Sequence, residues 1–301
     1  MKVTEKFVER VRKHPFFQRY SECGVKEGLF SDTVGALGHM QDTLVRCAQP
    51  ELIGRYIISV RPTLKLSERF PLDGKAVGYG YAEGAVTRLS GAKCRAVDVD
   101  VNVIAESSEC WSREFLEDAT WNVMASIVEN VGRALGEEET RIVLSLYGSI
   151  EDGDLAGGAP IDLGGEVMDW KAVLRLHDAV RGENWRPNVL ILHETQMHQL
   201  LLDDKFIDSR YLTSSETDIE RGLVKSACGM RVHTSTLVPN GTAYAIDTSV
   251  AAVMLIRRDV TVEDWIEPQT GEFGIKATTR FGLGVLRSNA VAKMINIKNT
   301  L

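Results

Sequence analysis

The sequence predicts an α+β fold, and three of its features support that prediction. Residues 112–148 carry apolar side chains at spacings of three and four, which is typical of a long helix with one buried face. Residues 55–106 and the last part of the chain contain period-two segments, which indicate half-buried strands. A glycine-rich linker at 151–165 then precedes a segment of shorter helices and strands. A helix this long needs a long sheet or a neighbouring subunit to lie against.

The N-terminal residues 1–54 read as an extended arm, because they hold too few apolar positions to build a core. A frayed terminus is the alternative interpretation. The first 30 residues contain seven Lys or Arg and four Asp or Glu, although the whole chain has a formal net charge of −7. The basic side chains at its start are Lys2, Lys6, Arg10, Arg12, Lys13 and Arg19.

Residues 55–106 predict a long projecting loop. Alternation at 56–60 and again at 97–103 indicates two strands, which we infer to pair as a hairpin. The 26 or so residues between them, 67–92, form a long connection of a kind that tends to be functional or disordered. They are rich in glycine but carry large apolar side chains that need a partner surface: Phe70, Leu72, Tyr79 and Tyr81.

The long helix is predicted from Ser112, whose hydroxyl can cap the first turn, to a stop at Gly148. About 36 residues at roughly 1.5 Å each would span on the order of 54 Å. Gly132 and Gly136 are positions where it could kink or split.

The remaining chain predicts shorter elements and then long strands. Asp169 can cap a helix that ends at Gly182. Further helices are expected at 194–202 and 219–227, and strands at 189–192, 231–236, 242–247, 260–266, 273–286 and 290–297. Residues 268–271, Pro-Gln-Thr-Gly, predict the turn of a hairpin between the strands at 260–266 and 273–286.

Composition limits the class of protein. The net negative charge argues weakly against nucleic-acid binding over the whole surface. Five scattered cysteines without a close pair predict reduced thiols of an intracellular protein and neither a disulfide framework nor a zinc site. The charged start does not read as a secretory signal, and no apolar run approaches a membrane span, so we expect no membrane partner.

A search for catalytic motifs predicts no catalytic residue, no metal site and no cofactor. His193 and His198 resemble a metalloprotease pair, but they are five residues apart and so lie about 140 degrees apart on a helix. The glycine-rich linker lacks a phosphate-loop lysine. Cys228 and His233 have no group to orient them as a nucleophile and base. This favours a structural protein over an enzyme, with a metal-dependent hydrolase using His193 and His198 as the alternative of another class.

Three segments in this order resemble a known family. Residues 111–119 read Trp-Ser-Arg-Glu-Phe-Leu-Glu-Asp-Ala at the entry to the long helix. Residues 185–192 read Trp-Arg-Pro-Asn-Val-Leu-Ile-Leu, and 229–241 run from Gly-Met-Arg-Val-His to Val-Pro-Asn-Gly. With the order of elements, they resemble the Hong Kong 97-type major capsid protein of tailed double-stranded DNA viruses. Encapsulins share that fold.

The resemblance implies the domain organisation. It assigns 1–54 to the N-terminal arm, 55–106 to the extended loop, and 107–150 to the spine helix and first part of the peripheral domain. It assigns 151–256 to the axial domain, 257–288 to the long strands of the peripheral domain, and 289–301 to a terminal strand returning to the axial domain.

The resemblance also implies the function: capsomers of five or six copies tile an icosahedral shell around double-stranded DNA, which is bound without sequence specificity. Scaffold, portal or cement proteins are further partners of the family. The protein would reside in the virion capsid after assembly in the host cytoplasm. We expect the basic arm to face the DNA. We expect the loop to contact a neighbouring subunit through Phe70, Leu72, Tyr79, Tyr81, Arg69, Lys75 and Arg88. An encapsulin-type shell around cargo enzymes is the alternative.

Overall fold

The computed structural model describes residues 52–73, 94–112, 121–203, 217–218, 223–267 and 272–300. These residues divide into two compact units. The smaller unit takes its described residues from 107–134 and 261–277, and the larger from 52–106, 135–260 and 278–300. The secondary structure is mixed, with three α-helices and two main sheets in the described part of the chain.

The long helix, α1, runs from Trp121 to Gly148 without interruption. Val128, Val131 and Leu135 are buried along one face, which is the periodicity that predicted the helix. Two shorter helices follow, α2 (Trp170–Gly182) and α3 (Glu194–Leu201). Asp169 caps α2 as predicted, because its carboxylate accepts a 2.8 Å hydrogen bond from the backbone N–H of Ala172.

The strands of the described chain are numbered in order. They are β1 (Ser59–Pro62), β2 (Ser67–Asp73), β3 (Cys94–Asp100), β4 (Val103–Ser112), β5 (Ile161–Asp162), β6 (Val189–Leu192), β7 (Thr217–Asp218), β8 (Leu223–Val224), β9 (Ser226–Ala227), β10 (Met230–Thr234), β11 (Ala243–Ile246), β12 (Ala252–Glu267), β13 (Glu272–Val285) and β14 (Val291–Ile295).

A six-stranded sheet in the order β5-β14-β11-β6-β10-β9 carries the main core of the larger unit. Strand β6 lies at its centre, parallel to β10 and antiparallel to β11. Leu176 of α2, Leu200 of α3 and Leu190 of β6 are fully buried in one apolar cluster. The sheet is therefore covered by two amphipathic helices, and the terminal strand β14 is one of its inner strands.

A four-stranded sheet in the order β1-β12-β13-β4 contains the two longest strands, β12 and β13, as neighbours. Gly282 allows a close approach in this region: a Cβ there would lie 2.2 Å from the backbone oxygen of Asp100 at the end of β3. In the smaller unit, a Cβ at Gly274 would lie 2.2 Å from the indole of Trp265, so glycine leaves room for that ring. Both glycines are packing requirements of the sheet.

The structure corrects three predictions. The strand at 97–103 was expected to pair with 56–60, but β3 pairs antiparallel with β2, and β1 pairs parallel with β12. Residues 219–227 were expected to form a helix, but 223–224 and 226–227 are strands, because a short apolar run fits either period. Ser112, the expected helix cap, is the last residue of β4, while 113–120 lie outside the described residues.

Candidate functional site

Strands β2 and β3 form a two-stranded ribbon, which is a described part of the loop predicted at 55–106. Seven residue pairs join it, from Ser67 opposite Asp100 to Asp73 opposite Cys94. On its outer face the guanidinium of Arg69 donates two hydrogen bonds to the carboxylate of Asp98, at 2.7 and 2.8 Å. The hydrogen bond from Arg69 lowers the pKa of the Asp98 carboxyl. Because Arg69 has its partner on the same ribbon, its predicted contact to a neighbouring subunit has to compete with Asp98.

Phe70, which is predicted to contact a neighbouring subunit, points to the other face of the ribbon. Its ring is only 9% exposed and packs with Val99 and Leu255 in a core cluster of its own subunit. The guanidinium carbon of Arg61 lies over the ring, 5.5 Å from its centroid, at a distance that fits a cation–π contact. A side chain held in this way stabilises the ribbon on its own sheet and has little surface left for a neighbour.

The other predicted loop contacts stay predictions. Leu72 is half-buried on β2. Tyr79, Tyr81, Lys75 and Arg88 lie outside the described residues, so their contacts stay predictions. The same holds for the basic arm, whose side chains Lys2, Lys6, Arg10, Arg12, Lys13 and Arg19 also lie outside the described part of the chain.

Three large apolar side chains beside the ribbon are exposed, and sequence reasoning missed them. Leu64 is 90% exposed, Leu66 is 61% exposed and Ile104 is 55% exposed. Leu64 and Leu66 lie on the segment that joins β1 to β2, and Ile104 lies on β4 directly after the turn that follows β3. Exposed large apolar side chains mark an interaction surface where they form a contiguous patch.

Thr63 explains why the leucines face outward. The residue is only 7% exposed, and its backbone N–H donates a 2.9 Å hydrogen bond to the carbonyl of Ile256. Its hydroxyl oxygen accepts a 3.1 Å hydrogen bond from the N–H of Lys65 and is hydrogen-bonded to the carboxylate of Glu68. A polar residue is therefore held inside and its apolar neighbours are turned out, which reverses the usual pattern. A signal in the sequence is the threonine at this turn, between Pro62 and Leu64.

The segment before β1 is fixed to α1 by buried polar contacts. The guanidinium of Arg55 donates hydrogen bonds of 2.6 and 2.9 Å to the carboxylate of Glu139 and one of 2.9 Å to Asp259. Glu139 is fully buried. Burial alone would lower the pKa of Arg55, but the hydrogen bonds and charges of Glu139 and Asp259 outweigh it and raise that pKa. Arg55 therefore stays charged and paired.

Two more contacts complete this attachment. The hydroxyl of Tyr147 donates a 2.7 Å hydrogen bond to the carbonyl of Ile57, and burial raises the pKa of that hydroxyl. The N–H of Gly54 donates a 3.2 Å hydrogen bond to the hydroxyl of Thr140. A Cβ added at Gly54 would lie 3.2 Å from the Cα of Thr140, so the segment passes close to the helix backbone. We call residues 52–58 the root segment, because they hold the start of the projecting loop on α1.

His193 and His198, the two residues of the alternative metal site, have surroundings that fit a structural role. His193 is the N-cap of α3, and its ring nitrogen accepts a 3.1 Å hydrogen bond from the N–H of Thr195. His198 is exposed on the same helix. Within the described ranges, no group of three His, Cys, Asp or Glu side chains could hold a metal ion. None of the described helices is long and apolar enough to cross a membrane.

The buried polar residues of α3 instead hold the last described residues of the chain. The side-chain amide of Gln199 donates hydrogen bonds to the carbonyls of Lys298 and Thr300, at 2.8 and 2.9 Å. Its oxygen accepts one of 2.8 Å from the N–H of Met168. The amide of Gln196 donates to Asn240 at 2.7 Å. The segment that resembled a metal motif therefore binds the last described residues of the chain.

Comparison with known proteins gives one family. A family model described as phage capsid protein matches residues 110–294. No curated protein sequence matches the chain. Among solved structures, the capsid of the cyanophage P-SCSP1u is similar with a TM-score of 0.62 and 13% identity, over 81% of this chain and 87% of that one.

Two further structures have a similar fold. The chain from Mycobacterium phage Che8 has a TM-score of 0.59 at 14% identity, over 76% of this chain and 84% of that one. The virus-like particle from Pyrococcus furiosus has a TM-score of 0.54 at 13% identity, over 84% of this chain and 98% of that one. At such identities the structures show a common fold and nothing narrower.

Proposed function

The chain belongs to the phage capsid protein family, and we propose that it is the major capsid protein of a tailed virus, which encloses double-stranded DNA in its shell. The observation that carries the proposal is the family match over residues 110–294, which includes most of the six-stranded sheet and both long strands. The protein is a structural shell subunit, and we expect it to have no catalytic activity of its own.

The exposed side chains beside the ribbon support self-association. Leu64, Leu66 and Ile104 each gain roughly 1.5–3 kcal/mol when fully buried against a partner. In a closed shell every subunit makes the same contact, so a modest gain per subunit is repeated through the whole assembly. The loop at 55–106 would reach a neighbour through these side chains and through Tyr79, Tyr81, Lys75 and Arg88, with pentamers and hexamers as the intermediate assemblies.

The basic arm supports packaging of DNA. Its surplus of positive charge contrasts with the net negative chain and would neutralise phosphates without reading their sequence. In this proposal α1 is the spine helix, residues 151–256 with the terminal strand form the axial domain, and the long strands at 257–288 belong to the peripheral domain. Assembly would take place in the host cytoplasm, where scaffold, portal or cement proteins would be further partners.

Electron microscopy of the purified protein tests the proposal. We expect closed shells that protect double-stranded DNA from nuclease when the protein is produced with its packaging partners. A variant lacking residues 1–14 should form shells with less protected DNA and an unchanged subunit melting temperature, whereas a matched deletion of 15–28 removes fewer basic groups and should lose less DNA.

Other outcomes would change the assignment. Shells that contain a cargo enzyme instead of DNA would favour the encapsulin-type compartment. A protein that stays monomeric at all concentrations and holds stoichiometric zinc through His193 and His198 would contradict the shell reading.

A further inference from the structure

A cleft with aromatic and basic side chains lies near one edge of the six-stranded sheet. The ring of Tyr56, from the root segment, stacks on the ring of His233 of β10, with centroids 5.9 Å apart and planes 11 degrees apart. Tyr56 is nevertheless 62% exposed, so one side of this stack is open. The cleft has a volume of about 300 Å³ and is lined by Tyr56, Asn188, Val189, Gly229, Arg231, His233 and Thr248.

The charge of this cleft is positive. Arg231 is exposed on β10, and Lys225 is exposed just before β9. No Asp or Glu lines the cleft or occurs in the described residues 223–238. Burial lowers the pKa of His233, and the charge of Arg231 lowers it further, which favours the neutral form of the stacked ring. The nearby carboxylate, Asp247, is buried and accepts hydrogen bonds from its own subunit.

Two hydrogen bonds join the rim of the cleft. The side chains of Asn188 and Thr248 join it, since the amide of Asn188 donates to the hydroxyl of Thr248 at 2.8 Å. The N–H of Thr248 in turn donates to the oxygen of Asn188 at 3.0 Å. A partner would therefore meet a preformed surface, which lowers the entropy lost on binding.

The opposite edge of the same sheet is acidic. Residues 151–163 run along the free side of β14, because the N–H of Ala156 donates to Val291 and that of Leu163 donates to Ile295. Of the acidic side chains here, Asp152 has Lys293 at 3.8 Å. Asp162 accepts hydrogen bonds from Gly164 and Asn296. The exposed carboxylates of this edge are Glu151, Asp152, Asp154, Asp162 and Glu166.

We propose that the acidic edge at β5 of one subunit docks on the β9–β10 edge of a second copy, with the turn at Asp152–Asp154 entering the cleft of Tyr56 and Arg231. The two surfaces lie at opposite ends of one sheet, so the contact is head-to-tail, and such contacts close into rings when the rotation allows. This inference rests on the proposed function and names the contact that would build each capsomer. Complementary charge would set its register and orientation.

Charge reversal and charge exchange test the contact. Arg231→Glu in the full chain should raise the protein concentration needed for assembly at least about tenfold, because a favourable charge pair becomes repulsive. Asp152→Arg with Asp154→Arg should do the same. A chain that carries all three substitutions exchanges the charges of the two edges. It should assemble at a protein concentration within about threefold of that needed by the unaltered protein. Light scattering over a dilution series and native mass spectrometry of the ring intermediates are the measurements.

The controls separate docking from folding and from loss of the shell altogether. Arg175→Glu on the exposed face of α2 is the matched control and should assemble normally. Each variant should keep the melting temperature of the unaltered subunit.

Three results would overturn the inference. The first is normal assembly of Arg231→Glu. The second is that the chain with all three substitutions fails to assemble although each variant melts normally. The third is that Arg231→Glu forms intact shells that have lost nucleic acid, which would make the cleft a phosphate site. Monomers from the unaltered protein would overturn the proposed function as well.

Discussion

The root segment and the ribbon of β2 and β3 both contain an arginine that donates two hydrogen bonds to one carboxylate, but the two carboxylates differ in their exposure to solvent. Arg55 meets a fully buried Glu139, whereas Arg69 meets Asp98 in solvent. The apolar side chains differ in the same regions: Ile57 of the root is buried, while Leu64 and Leu66 beside the ribbon are exposed. The comparison indicates that the root stabilises the subunit, and it supports our proposal that the ribbon region serves contacts outside it.

Phe70 gives the strictest test of this comparison, because it belongs to the ribbon but is buried. We expect Phe70→Ala to lower the free energy of unfolding by about 3–5 kcal/mol, through lost burial and the cavity left behind. Thermal and denaturant unfolding of the subunit measure this. Leu72→Ala, on a half-buried neighbour, is the control and should cost less. An unchanged stability for Phe70→Ala would mean that the ring does not pack on its own sheet.

Glu139→Ala tests the root. Removing the buried carboxylate leaves the guanidinium of Arg55 with Asp259 alone, and we expect a loss of about 3 kcal/mol in the free energy of unfolding. Glu138→Ala, one residue earlier on α1, removes only an exposed pair with Arg141 and should stay within about 0.5 kcal/mol. Equal effects of the two substitutions would contradict the difference drawn between buried and exposed pairs.

The double substitution Leu64→Asp with Leu66→Asp should leave the subunit folded, with a change below about 0.5 kcal/mol, because both side chains are in solvent. Assembly should be lost or should need at least about tenfold more protein, since the apolar contact becomes charged. Sedimentation and electron microscopy report assembly. Exposed Leu174→Asp on α2 is the matched control. Normal shells from the double variant would remove these leucines from the intersubunit contact.

Arg69→Ala should have the smallest effect. Both partners of its pair are in solvent, where water and salt screen the charges, so we expect no measurable change in the subunit melting temperature. The salt dependence of assembly should shift if Arg69 also reaches a neighbour, and it should stay the same if Asp98 is its sole partner. A large loss of subunit stability would place this pair with the buried one.

Local patterns in the sequence predicted much of the fold, because they report which face of an element is buried. The face of α1, its end at Gly148 and the pairing of two long strands follow from such patterns, although β12 begins at Ala252, well before the strand predicted at 260–266. The resemblance to Hong Kong 97-type capsid proteins is confirmed. Gly132 and Gly136 do not split the helix, since packing of the buried face outweighs their weak helix propensity.

Pairing partners and the exposed site could not be predicted in the same way. Alternation shows that 59–62 is a strand, but it does not show that its neighbour is β12, far along the chain. The outward position of Leu64 depends on the hydrogen bonds of Thr63 to Ile256 and Glu68, which are contacts of the folded chain. For Phe70, composition indicated a large apolar side chain in need of burial. Only the structure shows that the residues which bury it belong to the same chain.

The parallel pairing of β1 with β12 has a consequence for the order of events after translation begins. Ser59 lies opposite Val253 and Pro62 opposite Ile256, so this ladder cannot form until residue 256 has left the ribosome. Contacts between such distant residues also carry a large loop-closure entropy and form slowly. The hydrogen bond from Thr63 to Ile256 extends the same ladder and turns Leu64 outward. The exposed surface at Leu64 therefore takes its final form only after Ile256 has been synthesised.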